Sequence, residues 1–259
     1  MSGYGFKKHS LLKDKILPGL VMALALGVIL GGSWLVKSLP KGQKTAAAKL
    51  ALPRKHTVVL IDQTDTLSAH CATQLELYLK DLPESMEPGE MVSLFAVDAN
   101  SDITVSPLLS EVNPGSNVNE WLENYELKRQ LFDKEFVKPI TAIAGEVKSR
   151  PDSETSPIIE TINRIATWHK FSDKVSVRRM VIYSDMLQNS RHCSDYTHSK
   201  AVHPASLGCP DLEPLWGVDV DLRYILRRGK SHLQTDAHRK NWIRRLRSAG
   251  AKVKLTPIL

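Results

Sequence analysis

Between Lys15 and Lys37 the chain runs for 21 residues, Ile16 to Val36, without a charged side chain. A helix satisfies its own backbone, and roughly 20 apolar residues at about 1.5 Å rise each cross the ~30 Å hydrocarbon core of a bilayer. The sequence therefore predicts a transmembrane helix over 16–36, preceded by a basic tail at 1–15. Pro18 falls in the first turn, where its missing N–H costs little, and Trp34 falls where an interfacial aromatic anchors a span. A cleaved signal peptide is the alternative. The small run Ala46-Ala47-Ala48 that would be its cleavage site lies beyond Lys37, Lys41 and Lys44, which favours an uncleaved anchor. Ala23, Gly27 and Gly31 fall four apart on one stripe, a spacing that lets two helices approach closely. A homo-oligomer through that stripe is one expectation; chance spacing of residues common in such helices is the other. The basic residues flanking the span are near parity, so the positive-inside rule does not choose an orientation. A short tail left in the cytoplasm would place the remainder on the periplasmic or extracellular side of the inner membrane.

Beyond the span about 200 residues remain, enough for one domain with its own core. Residues 37–55 are polar, basic and alanine-rich and read as a linker, leaving 56–259 as the domain. There the hydrophobic pattern alternates between two periods. His56–Asp62, Met91–Val97, Arg179–Tyr183, Gly217–Leu226 and Ala251–Leu255 read as strands, with Asp102–Leu108 as an antiparallel or edge strand ended by Pro107. Leu67–Leu82, Pro157–His169 and Thr235–Ala249 read as helices, the second capped by Ser156. Glu120–Gly145 reads as two helical pieces broken near Pro139, and Gln188–Pro214 as a long loop. Strands alternating with helices predict an α/β fold, a doubly wound, mostly parallel sheet with helices on both faces. In such sheets ligands bind at the carboxyl ends of the strands, and two strands here end in Asp62 and Asp185.

The first of these ends reads Asp62-Gln63-Thr64-Asp65-Thr66-Leu67-Ser68. An acid followed by hydroxyls at two and four residues, on a strand-to-helix turn, is an oxygen-rich set suited to a hard divalent cation such as Mg²⁺. Asp185 arrives at the same sheet edge, and the loop Thr155-Ser156-Pro157 offers another hydroxyl. Together these residues resemble the metal-ion-dependent adhesion site of the von Willebrand factor type A (VWA) domain, in its membrane-anchored bacterial form, over about residues 56–259. The resemblance implies that Thr64 and Thr66 ligate the metal directly, that Asp62 and Asp185 act directly or through waters, and that Ser156 or Thr155 takes the third-loop place. It implies further that a partner's carboxylate completes the shell, so the expected function is binding within a membrane complex rather than turnover. Three positions depart from the family's commoner pattern: Thr64 stands for Ser, Met186 for Gly and Ser156 for Thr. Ser and Thr hydroxyls serve a cation alike. A degenerate site, its Asp and Thr acting as helix caps in a structural transmembrane adaptor, is the alternative.

An enzyme reading competes with this one. A strand ending in Asp also begins the haloacid-dehalogenase phosphatase motif, but there a second Asp follows at two residues, where this chain has Thr64. No P-loop or dinucleotide fingerprint is present. Cys193 and Cys209 are spaced too widely for a zinc site with His192, His198 or His203. In an oxidising compartment they would pair; otherwise they are loop thiols. Cys71 reads as a core residue. Residues 57–216 are acidic, with 14 Lys and Arg against 24 acids, whereas 217–259 carry 11 against three. The basic helix with Arg239, Lys240, Arg244, Arg245 and Arg247 lacks interleaved aromatics, which argues against nucleic acid and leaves a solvated face or one near anionic headgroups.

Overall fold

The computed structural model describes residues 52–99, 101, 104–114, 125–146, 153–196 and 209–258. The predicted span at 16–36 and its small-residue stripe lie outside them. Among the described residues no helix is long and apolar enough to cross a membrane. Leu52–Leu259 forms one compact unit.

Six strands form one sheet: β1 (Lys55–Asp62), β2 (Met91–Val97), β3 (Leu109–Val112), β4 (Val177–Ser184), β5 (Val218–Ile225) and β6 (Lys252–Ile258), in the order β3-β2-β1-β4-β5-β6. All pairs are parallel except β2 with β3. This is the doubly wound order, and its direction reverses between β1 and β4. Among the described residues the principal helices are α1 (Ala69–Ser85), α2 (Tyr125–Phe132), α3 (Lys138–Glu146), α4 (Ile158–Ala166) and α5 (Asp236–Ser248).

The sequence of β1 explains its central place. Its run His56-Thr57-Val58-Val59-Leu60-Ile61-Asp62 is buried throughout, as a parallel strand covered on both faces requires. Val58 and Leu60 point to the side of Ile158, Ile162, Ile165, Trp242 and Leu246, which belong to α4 and α5. Val59 and Ile61 meet Leu75 and Leu79 of α1 together with Phe132, Phe136 and Ile140. Two cores thus sandwich the sheet, and Cys71 lies in the second, as expected.

Three local expectations are corrected. The edge strand is Leu109–Val112, not Asp102–Leu108: residues 104–107 adopt no regular structure, and pairing begins only past Pro107, which has no N–H to donate. The helical stretch is not broken at Pro139. A π turn over Asp133–Val137 joins α2 to α3, with the Lys138 N–H reaching the Asp133 carbonyl. That widened turn precedes the proline, whose ring could not fit against a regular preceding turn. Ser156 does not cap α4. Pro157 holds the cap position, while the Ser156 backbone forms an antiparallel bridge with Asn189.

Candidate functional site

Because β1 and β4 are adjacent and parallel, their carboxyl ends deliver Asp62 and the Ser184-Asp185 pair side by side. Asp62, Thr64, Ser156 and Asp185 are all buried here; Thr66 is exposed on the shoulder of the first loop. The Asp62 carboxylate is held on both oxygens. Oδ1 accepts the Thr64 N–H at 3.1 Å and the Thr64 hydroxyl at 2.6 Å, and Oδ2 accepts the Ser184 hydroxyl at 2.6 Å. Asp185 Oδ1 accepts the Leu187 N–H at 2.9 Å.

Electrostatics separate these acids from ordinary surface carboxylates. Burial pushes the Asp62 pKa up, against the hydrogen bonds from Ser184 and Thr64. Asp185 is pushed up to about 7, first by burial and next by the charge of Asp62, while the Leu187 N–H and Arg227 oppose the shift. Removing two carboxylates from water in one place is costly unless positive charge compensates them.

Arg227, two residues past β5, supplies part of that charge. Its Nε donates to Asp185 Oδ2 at 3.1 Å, and the rest of the guanidinium bonds to the carbonyls of Asp65 and Thr66. Gln234 fixes the arginine's backbone: its Oε1 accepts the Arg227 N–H at 2.7 Å, while its amide donates to the carbonyls of Asp185 and Ile225. Sequence reasoning missed Arg227, although the strand-end rule that selected Asp62 and Asp185 applies equally to β5.

A cleft of about 240 Å³ opens over this cluster, lined among others by Thr64, Asp65, Ser156, Asp185, Tyr196 and Lys230. The Lys230 ammonium lies 4.6 Å from the centre of the Tyr196 ring. The Ser156 hydroxyl is buried in its wall without a hydrogen-bond partner among the described residues. An unsatisfied buried hydroxyl costs about 1–3 kcal/mol, and a cation or water in the cleft would relieve it. Among the described residues no three His, Cys, Asp or Glu side chains come together as a metal cluster. The donor set here is two carboxylates plus hydroxyls, a hard-oxygen set of the kind Mg²⁺ accepts when waters complete its shell.

Backbone strain marks the same place. Met186, directly after Asp185, has φ 59 and is fully buried. That left-handed conformation is uncommon for a residue with a side chain. The Ser184 hydroxyl holds it by accepting the Met186 N–H at 2.7 Å. The following loop is tied to α4, where Gln188 accepts the Ile159 N–H and donates to Glu160. Cys193 and Cys209 form a disulfide.

No protein-family model matches the chain, and no curated protein matches its sequence. Thirty-six chains of solved structures are similar to it. One is the crystal structure of the SpRpn10 VWA domain, 12% identical, with 78% of this chain and 88% of that chain covered and a TM-score of 0.33.

Proposed function

We propose that this protein is a membrane-anchored, VWA-like protein–protein interaction module that binds an acidic residue of a partner through a divalent cation, without turnover. One observation carries the reading: the Ser156 hydroxyl lies buried and unpartnered in the wall of a cleft it shares with Thr64 and Asp185. Thr64, Ser156 and Asp185 would hold Mg²⁺, with Asp62 orienting Thr64 from behind. The cation would supply the positive charge that the paired carboxylates lack, and its open position would take a partner's carboxylate. The acidic stretch 57–216 would otherwise repel such a partner. The loop after Asp185 would provide specificity. The uncharged run at 16–36 supports an anchor in the inner membrane. The Cys193–Cys209 pair supports an oxidising compartment for the domain.

A second reading has its own observation. Arg227 already contacts Asp185 at 3.1 Å and bonds to the Asp65 and Thr66 carbonyls, so a built-in cation would replace the metal in a structural transmembrane adaptor. Recovery of partners from solubilised membranes, with Mg²⁺ or with chelator, separates the two. The metal reading expects partners to be lost on chelation and with Asp62→Ala or Thr64→Ala while the fold persists. Unchanged recovery in every condition leaves the adaptor. Hydrolysis of a generic phosphate ester that Asp62→Asn abolishes would overturn both in favour of a phosphatase.

A further inference from the structure

The parallel strands give the sheet a second edge, opposite the cleft. At that edge lie the starts of β1, β4, β5 and β6: Lys55 pairs with Val177, Arg178 with Val218, and Asp219 with Lys252. The chain enters β1 at this edge, through residues 52–54. The same edge carries Trp216, which is 68% exposed.

Trp216 is held in place rather than left dangling. The buried Arg178 donates to its carbonyl and to that of Phe171, and the preceding Leu215 N–H donates to the Ala249 carbonyl at 2.7 Å. One face of the indole lies on Gly250, where a Cβ would stand 2.4 Å from the ring. Gly250 has φ 97, so this backbone favours glycine for its conformation as well. The fold thus uses a residue without a side chain to seat a large amphipathic ring that points into solvent.

Beside it is the last turn of α5. Lys240, Arg244 and Arg247 are exposed and recur at the spacing of one helical stripe. The helix's single acid, Asp236, is paired with Arg239, and Arg244 bonds only to the neutral Asn241. This leaves Arg244 and Arg247 without a carboxylate partner among the described residues, and Lys240 shares Asp236 with Arg239 only through its charge. Lys252 follows on the exposed edge strand.

We infer that Trp216 and the basic stripe Lys240–Arg244–Arg247 form a docking surface for an anionic lipid bilayer. The inference rests on the reading of 16–36 as a membrane span. Three observations select lipid as the occupant. The chain outside the domain enters at this edge through a lysine-bearing linker with Lys37, Lys41, Lys44 and Lys49. An indole with one exposed face suits the headgroup boundary. Lys and Arg without a close carboxylate are drawn to an anionic surface. Docking by this edge turns the cleft, at the other end of the same strands, away from the bilayer.

The full chain in nanodiscs tests this, with a bilayer of three parts phosphatidylcholine to one part phosphatidylglycerol, both carrying brominated acyl chains that quench tryptophan on contact. Wild type should lose a component of fluorescence that Trp216→Phe does not contain. Trp34 contributes equally to both proteins, so the difference isolates Trp216. That component should become unquenched in phosphatidylcholine alone and in the double variant Arg244→Glu, Arg247→Glu, with thermal unfolding confirming that the variants are folded. Equal fractional quenching of wild type and Trp216→Phe in nanodiscs that have incorporated the chain overturns the inference and leaves the anchor standing. Failure of the chain to incorporate removes both. Unquenched Trp216 together with binding of a short DNA duplex, lost in the double-Glu variant, overturns lipid in favour of nucleic acid.

Discussion

His56 and Asp62 sit at opposite ends of β1, and each is 1% exposed. Their surroundings differ in kind. Both ring nitrogens of His56 are satisfied, Nδ1 by the Lys170 carbonyl and Nε2 by the Ser93 hydroxyl, each at 2.9 Å. Ser93 passes the network on to Ser110 at 3.0 Å. Burial lowers the His56 pKa to about 4, so the ring is neutral at physiological pH. The Asp62 end holds two acids whose pKa values burial raises, Arg227 against them, and a serine hydroxyl with no partner among the described residues. The first network is closed and joins β1 to the edge of the sheet. The second is open at a cleft. Burial of a polar residue alone does not distinguish the two ends; an unsatisfied group beside it calls for its own explanation.

The largest effect should come from opening the closed end. His56→Ala leaves the Ser93 and Lys170 groups without their partner and removes packing against Trp168 and Phe171. Urea unfolding should show a loss of about 2–4 kcal/mol, in the range of a buried hydrogen-bond loss plus a cavity. The response to Mg²⁺ should be untouched. A Mg²⁺ response lost along with stability would mean that the two ends are not independent.

An intermediate effect should appear as pH dependence, with opposite signs at the two ends. His56 has a folded pKa below its ordinary value of 6.5, so its contribution to stability is lost as pH falls from 6.5 towards 4. Asp185 has a folded pKa above its ordinary value of 3.8, so it is protonated in the fold at low pH and destabilises the fold as pH rises towards 7. Without divalent cations, the melting temperature of Asp185→Asn should therefore gain on wild type between pH 5 and pH 8, by several degrees. A constant difference across that range would show that Asp185 ionises normally.

The smallest change in stability should come with the most informative change in binding. Ser156→Ala removes a hydroxyl that bonds to nothing among the described residues, so the fold should lose no stability and gain at most the cost of that unsatisfied group. The thermal shift on adding Mg²⁺ should nevertheless shrink. An unchanged shift would remove Ser156 from the site and strengthen the reading in which Arg227 is the cation.

Elements with a strong local signature were legible in the sequence. The β-branched runs of β1 and β4 and the 3.6-residue apolar period of α4 have single good solutions. Asp62 and Asp185 were legible through them, since a strand that is placed correctly places its last residue. Ser156 was legible as a residue but not in its role. Its place before a helix suggests a cap, and only the bridge to Asn189, 33 positions further on, turns it into the cleft wall. Arg227 and Gln234 act through contacts with Asp185 that no local pattern encodes. The four-residue β3 is set by pairing with β2 rather than by its own alternation, which is why its position slipped past Pro107.

The bond between Cys193 and Cys209 holds their α-carbons 4.9 Å apart across a separation of 16 residues. Just inside that ring Asp195 accepts the Gln188 N–H at 2.8 Å and meets His238 at 3.4 Å, so the ring is tied to the fold beside Cys193. Once the ends are fixed, doubling the length of the enclosed chain raises the closure entropy by only about 0.6 kcal/mol. Insertions, deletions and changes of sequence beyond Tyr196 and before Cys209 should therefore be tolerated by the fold, whereas Asp195 should not be replaceable. Because Asn189 and Tyr196 of the same region line the cleft, that freedom lies beside the proposed site. Descendants of this chain could change partners there while β1, β4 and the pair Asp62 and Asp185 stay as they are.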